Sequence, residues 1–241
     1  MIGVILAGGD GTRLEKSTGQ NICKPLRKIK DKNLIEFALN NLIELNATSA
    51  YIVVGKQGDL IKEAIGNQYK TLNIHYVHQA QQKGLVDAFA QALNVMDCDK
   101  TIILQLADEI FINLNTTLIK NALVTEKVDF YCGITTEEDE EKIKNNFSVE
   151  ADENSKLIKC IEKPQVVTNN IKGTGFCIFN AETQNLIRET YKTNPHKIKD
   201  ICECFNYLTE LGYGGYTLLV AEKEFNINTA SDLTEAEKFL K

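Results

Sequence analysis

Proline is scarce, with three residues in 241, and none lies in a run with glycine or serine that would read as a linker. No internal repeat or low-complexity tract breaks the chain either. With those marks of a boundary missing, residues 1–241 read as a single domain at the upper end of the usual size range. No apolar run approaches the ~20 residues that a membrane-spanning helix needs. The opening Met1-Ile2-Gly3-Val4-Ile5-Leu6 is too short for a signal peptide and lacks its basic flank. A basic excess is missing too: 27 Lys and Arg stand against 33 Asp and Glu, a net charge of −6. That balance argues against nucleic-acid binding, which shows a basic footprint, yet leaves room for a local basic pocket that takes phosphates. The seven cysteines include no Cys-x-x-Cys, and the nearest pair, Cys202 and Cys204, is one residue apart. Scattered thiols without a secretion signal point to a reduced, cytoplasmic protein with neither nucleic acid nor membrane as partner.

What is present is a regular alternation of short apolar runs and longer amphipathic ones, in a chain that is 43% hydrophobic. Residues 2–6, 51–54, 74–77 and 101–106 read as strands, and residues 34–45, 60–65 and 85–95 as helices. Because the strands are continuously apolar, both of their faces are expected to be covered, as in a parallel sheet between helix layers. Further on, 128–134 reads as a strand and the acidic run 136–141 as a solvated loop or helix start. Residues 147–150 and 157–161 form a β-hairpin across Asp152-Glu153-Asn154-Ser155. A strand at 173–179, helices near 181–191 and 200–211, a strand at 216–220 and a helix at 231–240 complete the chain. The expected fold is α/β, a three-layer α/β/α arrangement with a mixed, mostly parallel sheet and a small β-hairpin insertion. Ligands of such sheets bind beyond the carboxyl ends of the parallel strands, and the informative residues follow the apolar runs.

The first run ends in Leu6-Ala7-Gly8-Gly9-Asp10-Gly11-Thr12-Arg13-Leu14. Glycines directly after a buried strand let backbone N–H groups approach a phosphate or a base edge. Arg13 adds a planar fork suited to phosphate oxygens. The pattern is neither Gly-x-Gly-x-x-Gly nor a P-loop. Lys24-Pro25-Leu26 follows, a lysine held by a proline. Together, Gly-Gly-x-Gly-Thr-Arg-Leu and Lys-Pro-Leu resemble the signature of the sugar-1-phosphate nucleotidyltransferases, the sugar-nucleotide pyrophosphorylases. The resemblance implies a Rossmann-like fold of the nucleotide-diphospho-sugar transferase type. It also implies that Leu6, Ala7, Gly8, Gly9, Gly11, Thr12 and Arg13 handle the nucleotide, with Lys24 on its phosphates in the transition state.

Later segments match the family in order. Gln79-Ala80-Gln81-Gln82-Lys83-Gly84-Leu85 opens a helix and resembles the glucose-1-phosphate thymidylyltransferase branch. An amide can offer one donor and one acceptor to a pyrimidine edge, and the resemblance implies that Gln79 and Gly84 read thymine or uracil. Leu106-Ala107-Asp108-Glu109-Ile110-Phe111 places two acids at a strand end, and the resemblance maps the metal-binding aspartate onto Asp108. Mg²⁺ is the expected cofactor, since such sites use one or two carboxylates plus substrate oxygens. Glu162-Lys163-Pro164 resembles the family's sugar-phosphate contacts, and Gly173-Thr174-Gly175 the strand lining its sugar pocket, so Glu162, Lys163, Thr174 and Gly175 are the acceptor-side candidates. In Asn226-Ile227-Asn228-Thr229 either asparagine is a candidate second metal ligand, with Asn228 preferred; Thr229 or Ser231 is a candidate cap of the final helix.

The resemblance therefore implies condensation of an NTP, UTP or dTTP favoured, with a sugar 1-phosphate and release of pyrophosphate. Arg13, Lys24, Asp108 and Lys163 would be the groups acting on it, and no nucleophilic side chain is called for. The chain departs from the thymidylyltransferase branch at Asn145-Asn146-Phe147 and His196-Lys197-Ile198-Lys199-Asp200, both on the sugar side. Two other readings stand beside this one: a cytidylyltransferase acting on a polyol or amino-alcohol phosphate, and a regulatory subunit that binds sugar nucleotide without turnover. A monomer or homodimer is expected, because longer relatives continue into helices used for assembly.

Overall fold

The computed structural model describes residues 1–9, 11–19, 23–97, 99–125 and 128–240, with the side chains of Thr12 and Arg13 outside that description. The chain starts with β1 (Ile2–Ala7), α1 (Thr12–Thr18), a 3₁₀ turn (Lys24–Leu26), the two-residue strands β2 (Lys28–Ile29) and β3 (Lys32–Asn33), and α2 (Leu34–Glu44). Next come β4 (Ser49–Val54), α3 (Gly58–Ile65), β5 (Gln68–Tyr69), β6 (Leu72–His78), α4 (Leu85–Val95), β7 (Ile102–Leu106), β8 (Glu109–Leu114) and α5 (Thr116–Leu123). The second half holds β9 (Phe130–Thr136), α6 (Glu140–Lys144), β10 (Phe147–Ala151), β11 (Leu157–Glu162), β12 (Ile171–Phe179), α7 (Ala181–Thr193) and α8 (Ile201–Glu210). It closes with β13 (Gly215–Leu219), β14 (Ala221–Asn226) and α9 (Ala230–Glu237).

β1 lies at the centre because its side chains are apolar on both faces. It pairs in parallel with β4 and β7, and β4 pairs in parallel with β6. Alternate residues serve opposite layers, as strand geometry requires. Val4, Leu6 and Val53 meet Phe89, Phe179 and Phe205 on the α4, α7 and α8 side. Ile5, Ala7, Ile52 and Val54 meet Ile35, Leu39 and Leu42 of α2. Val4 and Ile5 are fully buried, and each such side chain contributes about 1.5–3 kcal/mol of hydrophobic stabilisation. The rings of Phe130 and Phe205 stack at 5.3 Å within the first layer.

β12 makes the sheet mixed. It runs antiparallel to β7, β9 and β10, and its register shifts between Gly173 and Cys177. The expected hairpin forms as β10 and β11 and continues the same ten-stranded sheet through Ser148 opposite Lys172. Asp152 fixes its turn, accepting from the backbone N–H of Asn154 at 2.8 Å and Lys156 at 2.9 Å. The acidic run ends in the short helix α6, capped by Asp139.

A separate two-stranded ribbon, β8 with β14, decides where the site lies. Its register sets Asn226 opposite Glu109, and the N–H of Ile227 donates to the Asp108 carbonyl at 2.9 Å. A third apolar cluster anchors the ribbon, joining Leu14 of α1, Ile110, Phe225, Ile227 and Leu233 of α9. The chain's last segment is thereby brought against the end of β7.

Candidate active site

The glycine loop leaves β1 beside the end of β7, where the N–H of Ala107 donates to the Leu6 carbonyl at 3.0 Å. Gly11 has φ +65°, a conformation that favours glycine, and caps α1 with its carbonyl accepting from Glu15 N–H. A Cβ on Gly11 would lie 2.9 Å from the Cβ of Lys24, and one on Gly8 would lie 2.9 Å from Oε1 of Gln79. The loop thus seats the lysine motif on one flank and the amide motif on the other. Gly55, which the sequence reading passed over, closes the floor: a Cβ there would meet the Gly8 carbonyl oxygen at 2.7 Å. Its signal was a glycine directly after the apolar run of β4. Leu6 and Ala7 are buried strand residues that hand the chain to the loop. The side chains of Thr12 and Arg13 lie outside the described residues.

Lys24 is buried, and its Nζ donates to Asp108 Oδ2 and, at 3.1 Å, to Asn228 Oδ1. Asn228 Nδ2 donates to Asn226 Oδ1 at 2.8 Å, and Asn226 Nδ2 donates to Asn146 Oδ1 at 3.3 Å. Of the two asparagines, Asn228 is the one beside Asp108, and Asn226 stands one step behind it. A capping box holds this corner: Asp232 Oδ2 accepts from the N–H of Thr229 at 2.6 Å and of Asn228 at 2.8 Å, so Thr229 is the cap. Two side-chain oxygens of residues 84 and 204 positions away converge on one ammonium. An all-oxygen donor set of this kind fits a hard ion such as Mg²⁺, which keeps waters and substrate oxygens for its remaining positions. Among the described residues no group of three or more His, Cys, Asp or Glu is placed to hold a metal.

The acceptor-side candidates fall into two sets. Glu162 ends β11 and Lys163 follows it, both at the surface, with Nζ of Lys163 3.6 Å from Glu162 Oε1. Lys163 has φ +45°, and its N–H donates to the Asn146 carbonyl at 2.8 Å. Asn146 therefore joins this corner to the Asn226–Asn228 pair; in the sequence it stood out only as a departure from the family pattern. Thr174 and Gly175 are engaged inside the sheet instead. Thr174 Oγ1 donates to the Gly133 carbonyl at 3.0 Å, and Gly175 N–H donates to both oxygens of Glu109, at 2.9 and 2.8 Å. Burial, with Glu224 and Asp108 nearby, holds the Glu109 carboxyl well above the usual range. Lys172 and Glu224, also unread in the sequence, form a buried ion pair at 2.6 Å, with Glu137 at 3.8 Å. A hollow of about 240 Å³ opens beside this pair, lined by Asn145, Asn146, Asn226, Asn228 and Lys142. A larger one, about 910 Å³, lies on the outer side between α4 and α7.

Across the glycine loop, Gln79 is buried at the end of β6, its N–H bonded to the Val54 carbonyl at 2.9 Å. Its Nε2 donates to Asp87 Oδ2 at 2.6 Å and to the Gly84 carbonyl at 3.3 Å. Gly84, at φ +108°, turns the chain into α4. Gln82 donates from Nε2 to the Gly8 carbonyl, so the loop carrying Gln79 touches the glycine loop directly.

The glycine loop thus lies between a buried lysine paired with two side-chain oxygens and a buried amide, all at the strand ends. The chain belongs to the nucleotidyl transferase family, whose model matches residues 2–239. It is similar to the UTP–glucose-1-phosphate uridylyltransferase AglF of Haloferax volcanii, 27% identical over 241 residues that span the whole chain and 96% of the relative. Its fold is that of a Bacillus anthracis protein assigned as a glucose-1-phosphate thymidylyltransferase, with TM-score 0.83, 20% identity, and 99% of this chain and 94% of the other covered. The inositol-1-phosphate CTP transferase of T. maritima shares it as well, with TM-score 0.80, 16% identity and the same coverage. The α/β architecture with its mixed, mostly parallel sheet is the one expected from the apolar runs.

Proposed function

We propose that this nucleotidyltransferase is Mg²⁺-dependent and joins UTP or dTTP to a sugar 1-phosphate, releasing pyrophosphate. The convergence of Lys24, Asp108 and Asn228 beside the glycine loop, with Gln79 on its far flank, carries the reading. The similarity to a uridylyltransferase along the whole chain supports the substrate class.

The reaction is an in-line attack of the sugar-phosphate oxygen on the α-phosphorus, and positioning with charge neutralisation does most of the catalytic task. The backbone N–H groups of Gly8, Gly9 and Gly11 cradle the triphosphate. Arg13 and Lys24 offset its negative charge as pyrophosphate departs, and Gln79 and Gly84 fix the base. Glu162 orients the sugar and Lys163 holds its phosphate; their exposure leaves the acceptor free to enter. Asp108 and Asn228 would hold Mg²⁺, which supplies further charge neutralisation at the α-phosphate. Lys24 pairs with the same two oxygens and keeps the carboxylate partnered.

We place the protein in the cytoplasm, a reading supported by the six described cysteines, which are free and buried. A monomer or homodimer, with no nucleic-acid partner, completes the proposal. The fold likeness to a CTP transferase of inositol 1-phosphate favours, as a second reading, CTP with a polyol phosphate. Pyrophosphate release measured with each nucleoside triphosphate against sugar and polyol phosphates separates the two. Release with UTP or dTTP that requires a sugar 1-phosphate supports the first reading, and release confined to CTP overturns it.

A further inference from the structure

Gln79 reads a base only if its amide faces a defined way, since one end donates and the other accepts. Its two near neighbours on the inner side are Asp87 Oδ2 at 2.6 Å and the Gly84 carbonyl at 3.3 Å, and neither can donate. Nε2 must therefore face them. The reverse orientation would press Oε1 against a carboxylate oxygen. Oε1 is left on the side of the glycine loop, against Gly8.

Asp87 is itself held. It is a buried residue of α4, and its other oxygen accepts from the Tyr191 hydroxyl of α7 at 2.7 Å. Burial and the neighbouring carboxylate push the Tyr191 phenol up to about 12, so at neutral pH it keeps the proton it donates. The line Tyr191–Asp87–Gln79 joins two helices and a strand end, and each bond in it has one possible direction.

We propose that Asp87 and Tyr191 are positioning residues that lock the Gln79 amide with its oxygen toward the nucleotide, and so select uracil or thymine over cytosine. Uracil and thymine carry a hydrogen on N3 that this oxygen can accept. Cytosine presents a lone pair at N3, and the two acceptors repel. The proposal rests on Gln79 facing the base, as the proposed function has it, and adds the reason why that amide accepts rather than donates.

The test is the ratio of kcat/KM for UTP, or dTTP, over CTP in the wild type, Asp87→Asn and Tyr191→Phe, with unfolding temperatures recorded alongside. Asparagine at 87 can donate to the Oε1 of a reversed Gln79, whose Nε2 then faces the base and donates to N3 of cytosine. The expected result is a ratio lowered about tenfold or more in Asp87→Asn, mainly through a gain with CTP, and a smaller drop in Tyr191→Phe. A structural role alone would depress all three nucleotides together, and such a uniform loss overturns the proposal, as does an unchanged ratio in both variants. Should Asp87→Asn not fold, Tyr191→Phe decides by the same ratio. A wild type that prefers CTP, or turns over no nucleotide, overturns the underlying reading and the proposal with it.

Discussion

Gly11 and Gly19 bracket α1 with nearly the same backbone, φ +65° and ψ 14° against φ +66° and ψ 14°. Alanine at either position bears the left-handed penalty of about 1–2 kcal/mol. For a chain of this length that corresponds to a fall of roughly 2–8 °C in Tm. The two sites differ in what a new methyl meets. At Gly19 nothing among the described residues lies within 4 Å, whereas at Gly11 the Cβ would sit 2.9 Å from the Cβ of Lys24. Lys24 is buried on a turn with Pro25 and cannot swing its Cβ away alone, so the 3₁₀ turn must shift by some tenths of an ångström. That moves Nζ relative to Asp108 and Asn228, and misplacements on the ångström scale cost about 100-fold in rate. Gly11→Ala should therefore lose about 10- to 100-fold in kcat, while Gly19→Ala stays within a few-fold of wild type. Thermal melts and steady-state pyrophosphate release on the two variants check this. Equal activity at comparable Tm would refute the reasoning that the glycine loop seats Lys24.

Asp232→Ala removes the acceptor for the N–H groups of Thr229 and Asn228, and should cost about 1–2 kcal/mol, read by urea unfolding. Because Asn228 loses its backbone anchor, the Mg²⁺ concentration giving half-maximal rate should also rise; an unchanged Mg²⁺ dependence would detach the cap from the site. The Tyr69 and Tyr191 phenols are both pushed from an ordinary value near 10 up to about 12, so their ionisation comes late in an alkaline absorbance titration. A folded-state pKa above the unfolded one contributes stability below about pH 10 that is lost as pH rises toward 12. Tyr191→Phe should remove one proton from that late step, and an unchanged late step would contradict the hydrogen bond to Asp87.

The central parallel strands and the helices between them could be read from the sequence because their signal is local. Val4 and Ile5 of β1 and Ile52 and Val53 of β4 are apolar since both faces are covered, and α2 and α4 show their buried stripes within one window. The ribbon of β8 and β14 escaped, because Ala-Glu-Lys-Glu-Phe-Asn looks polar until Phe225 and Glu224 find partners in β8 and β12. α1 escaped as well, since Leu14 is its only buried anchor among the described side chains. Lys24, Asp108 and Asn228 could be named from motif order, but their meeting depends on where the ribbon folds back. Asp87 and Tyr191 carried no motif at all: their hydrogen bond spans 104 residues and exists only once α4 packs on α7. Thr174 shows the converse, a motif residue whose hydroxyl serves the sheet.

The central claim is that Asp108, with Asn228 and Lys24, forms the centre of a metal-dependent nucleotidyl transfer. Mg²⁺-dependent pyrophosphate release from UTP or dTTP plus a sugar 1-phosphate, compared between wild type and Asp108→Ala, tests it most directly. The account predicts release that needs both substrates, falls to background with chelator, and is abolished in a variant that still melts cooperatively. Near-normal release by folded Asp108→Ala, or release indifferent to the metal, would contradict it.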